Sequence, residues 1–520
     1  MPTRTEDAIN PDVGPSATAN TSGRAAVPRR RAIWWYWPPL AMLVMAGALV
    51  WFSLWSQSVP LGNTLFNHPP LYGKFDPVFT NWTLIRLVPA GLLLAIAAWV
   101  AVATDPGARP GGAPLPGAGD AAAGARAPDA QPSRRTRTAA MLTLIIASAW
   151  VTSIAVNLVR GDELSLVRGV STTEGTYLSR DLHLIDELGV RGFVSGFPSL
   201  ADHLIAWNGR THPPGVQVFL WTLSQLVHGQ PYAMTTVLAV LSLGTAVGAW
   251  GMARAYGGER AGRIAAVLAV AAPGPLMLAY TNMDAVFAAF FAGAAAFFVA
   301  GARRAVDGRR GSAVFAAIGG AVLGFATFLT YATAFLALAA GVAIVVETRS
   351  LKQSAKLLGG AVLGGAAVLL VLRLTLGFDL LACYASLTRS GARFVPYFVA
   401  GQPAAWLIWS GLPMAALGIA GLVVAVPGAR RPVLPAVLIV MMIIWGALPP
   451  SVTALRQGEV ERTWAFLYPM LAASAGPVVD FWTRGYRPVA RVWAGGVVAL
   501  LVALSVAQAG VVQSLWDNLT

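Results

Sequence analysis

Apolar runs of about 20 residues recur along most of the chain, the first beginning near Trp35. A run of that length crosses a hydrocarbon core as an α-helix, the one single-segment structure that bonds all its own backbone groups. A membrane β-barrel would show short alternating segments instead, and the sequence has none. The chain therefore reads as an all-α, polytopic integral membrane protein. Its composition agrees: 56% of its 520 residues are hydrophobic and 12% charged, against about 25% charged in soluble domains. Mean hydropathy is +0.63. The single cysteine, Cys383, excludes an intrachain disulfide and any CxxC metal or redox site. The first thirty residues are polar and the first apolar run is full length, so no cleavable signal peptide is expected.

The net charge of +14 is not a nucleic-acid signal, because the basic residues sit in short clusters between apolar runs. Only Lys74, Lys352 and Lys356 are lysines, which with abundant Ala and Gly points to a high-GC bacterial gene. Residues 1–31 read as a disordered cytoplasmic tail ending in Arg29-Arg30-Arg31, and 104–137 as a disordered cytoplasmic linker ending in Arg134-Arg135-Thr136-Arg137. Between them, 32–103 holds two spans, near 35–56 and 82–103. The segment 138–520 holds the rest, near 139–159, 233–254, 262–280, 284–301, 313–330, 332–346, 357–375, 403–426, 433–449, 464–483 and 492–512. That makes about thirteen by length. Thirteen spans place the clusters at Arg254/Arg260/Arg263, Arg303/Arg304/Arg309/Arg310, Lys352/Lys356, Arg430/Arg431 and Arg484/Arg487/Arg491 on the cytoplasmic side. The apolar piece Gly215–Val227 is too short to span and would invert everything after it, so it is expected as an interfacial helix on the outer side.

With that threading all five histidines fall outside, and the long loop 160–232 becomes the candidate for chemistry. It carries Asp162, Glu163, Glu174, Asp181, Asp186, Glu187 and Asp202. Tyr177–Leu188 has Leu178, Leu182, Ile185 and Leu188 at helical spacing, with Gly189 as a stop, and predicts an amphipathic surface helix. In Thr211-His212-Pro213-Pro214-Gly215, Pro213 holds His212 extended and Pro214 suits a first helical turn, so His212 stands at a rigid corner. Two further outer spots are Thr281-Asn282-Met283-Asp284 and Gly458-Glu459-Val460-Glu461-Arg462. No cofactor is expected. A divalent metal would have to use Asp181, His183, His203 and His212, whose spacing matches no strong ligand motif.

An acidic loop after an early span, a His-Pro-Pro corner, a short outer helix and then a long series of spans resembles the GT-C glycosyltransferases. These membrane enzymes use polyprenyl-phosphate sugars and include protein O-mannosyltransferases, aminoarabinose transferases and actinobacterial cell-wall transferases. The resemblance covers Arg160 to Asp284 best. It implies that a carboxylate of the first outer loop is the base. The family's acid followed three residues later by Tyr lies over Glu174 and Tyr177, without the usual acid pair because Thr173 precedes Glu174. Asp181 is the competing position. The two additional spans before the usual first one imply a divergent branch. Glu459, Glu461 and Arg462 resemble a late Glu-Arg motif of bacterial members. A guanidinium suits a lipid phosphate, which makes Arg462, with Arg456 close in sequence, the expected phosphate clamp. His212, Asp284 and Tyr177 complete the expected substrate contacts.

The resulting expectation is a multi-pass enzyme of the bacterial cytoplasmic membrane. It would move a sugar from a polyprenyl-phosphate donor to an extracytoplasmic glycan, lipid or protein acceptor, on the outer face of the bilayer and with no nucleic-acid partner. The rival is a transporter or flippase for a lipid-linked glycan, which should carry ionisable residues at mid-span. The stretch 313–346 carries none.

Overall fold

The computed structural model describes residues 29–57, 71, 74–78, 81–104, 134–161, 163–170, 181–204, 207–387, 396–448, 460–484 and 490–517. The order begins with α1 (Arg29–Gln57), α2 (Asn81–Ala103) and α3 (Arg134–Asn157). The outer segment follows with α4 (His183–Leu200), α5 (Trp207–Thr211) and α6 (Gly215–Leu226). Next come α7 (Pro231–Leu243), α8 (Thr245–Gly257), α9 (Glu259–Ala271), α10 (Pro273–Leu278), α11 (Met283–Val306), α12 (Ser312–Leu329), α13 (Thr333–Thr348) and α14 (Leu351–Leu376). The remainder is α15 (Leu380–Ala385), α16 (Tyr397–Ser410), α17 (Leu412–Val423), α18 (Val433–Ala447), α19 (Val460–Thr463), α20 (Tyr468–Thr483) and α21 (Ala490–Leu515). The described residues are all-α apart from a two-residue antiparallel pair, β1 (Lys74–Phe75) with β2 (Trp516–Asp517).

Among the described residues eight helices are long and apolar enough to cross a membrane: α1, α2, α3, α7 with α8, α11, α12, α14 and α21. There are nine if the bent pair α16–α17 counts as one. Length alone therefore does not reach the expected thirteen. The spans expected near 262–280, 332–346, 433–449 and 464–483 fall on α9 with α10, α13, α18 and α20, which are shorter. The span expected at 284–301 is longer than its apolar core suggested, because Arg303 and Arg304 extend its last turn.

The span expected at 403–426 is broken. Helices α16 and α17 meet at 115°. Gly411 turns the chain with φ 78°, and Pro413 restarts the helix in its first turn, where a missing N–H costs nothing. The break exposes backbone groups inside the bundle, and Gln508 of α21 satisfies both sides. Its Nε2 donates to the Ile408 carbonyl at 2.8 Å, and its Oε1 accepts from the Leu412 N–H at 2.8 Å. Without water to bond them, such groups need an internal partner.

The basic clusters gather at one end. Glu259, nearly buried, receives Arg263 at 3.2 Å and Arg254 at 3.3 Å. Arg260 and Arg484 share Asp480, Arg303 reaches Glu347, and Arg430 reaches Asp307 at 2.8 Å. Both flanks of the 104–137 segment join this end: Arg263 Nη1 donates to the Ala101 carbonyl, and Thr138 donates to Glu259. The opposite end joins the α1–α2 connection to the carboxyl end of α21 through β1 and β2. There Arg160 binds Asp76 Oδ2 at 2.9 Å.

At that opposite end the outer segment is folded rather than a free linker. Ile185, Phe193, Val194 and Phe197 of α4 form a second apolar core with Val218 of α6, Phe328, Phe378 and Cys383. Tyr177 lies outside the described residues, and α4 begins at His183. Gly189 ends the first helical stretch as expected (φ 69°, ψ 157°), and a second stretch runs on from it to Leu200, with Phe193, Val194 and Phe197 prolonging the buried stripe. Helix α6 is a separate 12-residue element, as its length required, and not part of the span that follows.

Candidate active site

The first turns of α11 organise the site. Asn282 is the N-cap, its side-chain oxygen accepting from the Asp284 N–H at 2.8 Å. That fixes the helix start and places Asp284 in the first turn, where the dipole favours a carboxylate. Asp284, Phe287 and Phe291 then fall at i, i+3 and i+7 on one face. Each meets a different distant segment.

Asp284 Oδ2 lies 3.8 Å from Arg462 Nε, both side chains 11% exposed. Phe287 carries the His212 ring at a centroid distance of 5.7 Å. Phe291 stacks on Phe466 at 4.9 Å. The Thr-His-Pro-Pro-Gly corner and the Glu461-Arg462 pair thus dock on one helix face, although neither is near α11 in sequence.

The corner is rigid for a packing reason. A Cβ on Gly215 would stand 2.1 Å from the Phe328 carbonyl oxygen, so only glycine lets α6 press against the end of α12. His212 precedes this contact by three residues. Its Nδ1 lies 3.2 Å from Thr211 Oγ1, and it is half-buried.

The Glu461-Arg462 segment is held from behind. Tyr468 donates its hydroxyl to the Glu461 backbone carbonyl at 2.6 Å. Trp464 wedges between α16 and α18: it meets Trp406 edge to face at 6.3 Å, and a Cβ on Gly446 would stand 2.7 Å from its ring. Gln402 Nε2 donates to the Gly446 carbonyl at 3.4 Å. Glu461 itself is buried. The sequence reading did not name Phe287, Phe291, Tyr468 or Trp464. The aromatic stripe following Asp284 was the one signal that could have found the first two.

Asp181 is almost wholly buried, two residues before α4. It was expected in a polar loop, whereas it directly precedes a helix that packs on α6, α14 and α15. Glu174, Tyr177, Arg456 and Glu459 lie outside the described residues. Among the described residues no three His, Cys, Asp or Glu side chains group as a metal site would need. In the second core, burial with the nearby Asp379 charge pushes the Cys383 thiol up to about 12, so it stays a protonated apolar filler.

The comparisons with known proteins bear on this arrangement. A family model described as dolichyl-phosphate-mannose-protein mannosyltransferase matches residues 211–373. The crystal structure of apo ArnT from Cupriavidus metallidurans aligns over 74% of this chain and 78% of its own, with a TM-score of 0.50 and 16% identity. At that identity the likeness is one of fold. A second ArnT structure from that organism, bound to undecaprenyl phosphate, aligns over 73% of this chain and 78% of its own, with a TM-score of 0.46 and 14% identity. A search of curated proteins gives no match. The family match opens at Thr211, directly before the His-Pro-Pro corner, and contains Asp284. Asp181 and Arg462 lie outside it.

Proposed function

We propose that this chain transfers a sugar from a polyprenyl-phosphate donor to a hydroxyl of a cell-wall glycan, lipid or protein on the outer face of a bacterial cytoplasmic membrane. The observation that carries the reading is the convergence of Asp284, Arg462 and His212 on one face of α11, at the end of the bundle away from the basic clusters. That end is the outer one by the positive-inside rule, and a lipid phosphate lies at headgroup level there. The matching family is named for a dolichyl-phosphate sugar, itself a polyprenyl phosphate.

The chemistry is an inverting displacement. A loop carboxylate, Asp181 or Glu174, takes the proton of the acceptor hydroxyl as its oxygen bonds the anomeric carbon. The bond from that carbon to the phosphate oxygen breaks, and its electron pair leaves on the polyprenyl phosphate. Arg462 stabilises the charge gained there, in a site where few waters compete. His212, braced on Phe287, orients the acceptor.

One observation favours the transporter reading: the broken pair α16–α17 is the kind of element transporters use. The break is closed by the neutral Gln508, however. Purified protein given a panel of radiolabelled polyprenyl-phosphate sugars and membrane-derived acceptors should incorporate label from one of them. Transport of a lipid-linked glycan into vesicles without any transfer would replace the enzyme by the transporter.

A further inference from the structure

Three connections at the basic end have no part in the site above: 307–311 between α11 and α12, 349–350 between α13 and α14, and 424–432 between α17 and α18. Two ion pairs draw them together. Arg303, in the last turn of α11, reaches Glu347, in the last turn of α13, at 3.6 Å. Arg430 reaches Asp307 at 2.8 Å, and its backbone N–H donates to the Tyr256 carbonyl at the end of α8. The Tyr256 ring in turn carries the Arg303 guanidinium at 5.4 Å. The three connections thus form one surface.

The charge on that surface is unbalanced. Residues 303–310, 347–356 and 424–432 hold nine basic residues and two acids, Asp307 and Glu347. Both acids are engaged by the pairs just described. Arg304 is held over the Phe315 ring at 4.8 Å by donating to the Arg310 carbonyl. Arg310, Arg349, Lys352, Lys356 and Arg431 are exposed, and their side chains have no carboxylate partner among the described residues. The other side of the same end differs. There Arg254 and Arg263 share the buried Glu259, and Arg260 and Arg484 share the buried Asp480. One side is neutralised from within, and the other keeps its excess of cations.

Exposed apolar side chains adjoin that excess. Val306, Val314 and Leu351 are 44%, 60% and 88% exposed. Val306 and Val314 flank Arg310 by four residues on either side, and Leu351 is next to Lys352. Cations that border an apolar face in a membrane protein stand at the level of the lipid phosphates, with which guanidinium and ammonium groups pair.

We propose that this surface binds anionic phospholipid headgroups of the leaflet at the basic end, the cytoplasmic leaflet by the positive-inside rule. Charge complementarity calls for an anion, and the adjoining apolar side chains select a lipid over a soluble acidic partner. A zwitterionic headgroup has no net charge and gains less from uncompensated cations.

The test is titration of the purified full chain, in neutral detergent, with short-chain phosphatidylglycerol and separately with phosphatidylcholine of the same chains. The wild type should bind the anionic lipid about tenfold more tightly, and high salt should remove most of that preference. Arg310→Gln, Lys352→Gln and Arg431→Gln combined take one free cation from each connection. That triple variant should lose about tenfold in affinity for phosphatidylglycerol. Arg254→Gln, on the neutralised side, should bind it as the wild type does. Equal affinity for the two headgroups gives the surface to a soluble acidic partner and overturns the proposal. So does a triple variant that elutes as a folded monodisperse species with wild-type affinity, or an equal loss in Arg254→Gln.

Discussion

Asp284 and Arg462 face each other across 3.8 Å from helices α11 and α19, each nearly withdrawn from solvent. At that separation the attraction between these two atoms is Coulombic. A phosphate oxygen can form shorter, charge-assisted bonds to Arg462 while Asp284 keeps the side chain aimed. Arg462→Ala should therefore raise the KM for the polyprenyl-phosphate donor about 10- to 100-fold, in line with about 1.5–3 kcal/mol for a hydrogen bond to a charged group. Lysine at this position should recover only part of the loss, because an ammonium cannot reproduce a planar two-point contact. Donor titrations of the three proteins measure this. An unchanged donor KM in the alanine variant would remove Arg462 from the phosphate site.

The two ends of the bundle make a topological prediction. The flanks of 104–137 are fastened to the Glu259 cluster at the basic end, whereas Trp516 pairs with Phe75 at the other. With Cys383 replaced, single cysteines at Ala118 and Asn518 should differ in intact cells. An impermeant thiol reagent should label only the one at Asn518, and both after permeabilisation. Equal labelling in intact cells would defeat the threading.

Gln508 supports the broken pair α16–α17 with both ends of one amide. Gln508→Leu keeps the volume and strands the Leu412 N–H in the bundle interior, while the Ile408 carbonyl keeps the Gly411 N–H. An unsatisfied buried group costs about 1–3 kcal/mol, so thermal unfolding in detergent should fall by a few degrees. Gln508→Glu should be milder when its carboxyl is protonated, because it can then donate and accept as the amide does. A leucine variant as stable as the wild type would show that the break needs no clasp.

The helical class, the shared end of the basic clusters and the folded outer segment were legible because apolar run length, charge position and the 3.6-residue stripe are local signals. The Gly411 break was not. A glycine within an apolar run reads as a tolerated span residue until its partner is known, and Gln508 lies far away in sequence. Asp284, His212 and Arg462 were each legible as outer polar residues at helix ends. Their meeting on α11 was not, since it depends on Phe287 and Phe291, which read as ordinary membrane-facing aromatics. The burial of Asp181 was not legible, although the Gly189 break was. The apolar residues beyond it draw α4 into a second core that only long-range packing creates.

That burial sharpens the test of the base. A group that accepts the acceptor's proton must be sensitive to loss of charge at constant shape, so Glu174→Gln and Asp181→Asn are the informative changes. One of them should lower kcat by about 10² or more, the typical contribution of general-base catalysis. Donor KM should be preserved, because the proposed phosphate clamp, Arg462, is untouched. For Asp181 the folded state must be checked alongside. It is almost wholly buried, and removing the charge of a buried, paired carboxylate can cost stability as well as rate. Thermal unfolding in detergent separates the two: a base leaves the unfolding temperature near that of the wild type and loses turnover, and a structural acid loses both. A pH profile gives a second separation. Loss of the base removes the acidic limb of kcat, whereas a folding defect scales the whole curve. If both carboxamide proteins keep near-normal turnover, the base lies outside this outer segment. Asp284, the other carboxylate on the organising face of α11, would then be the next to exchange for its amide.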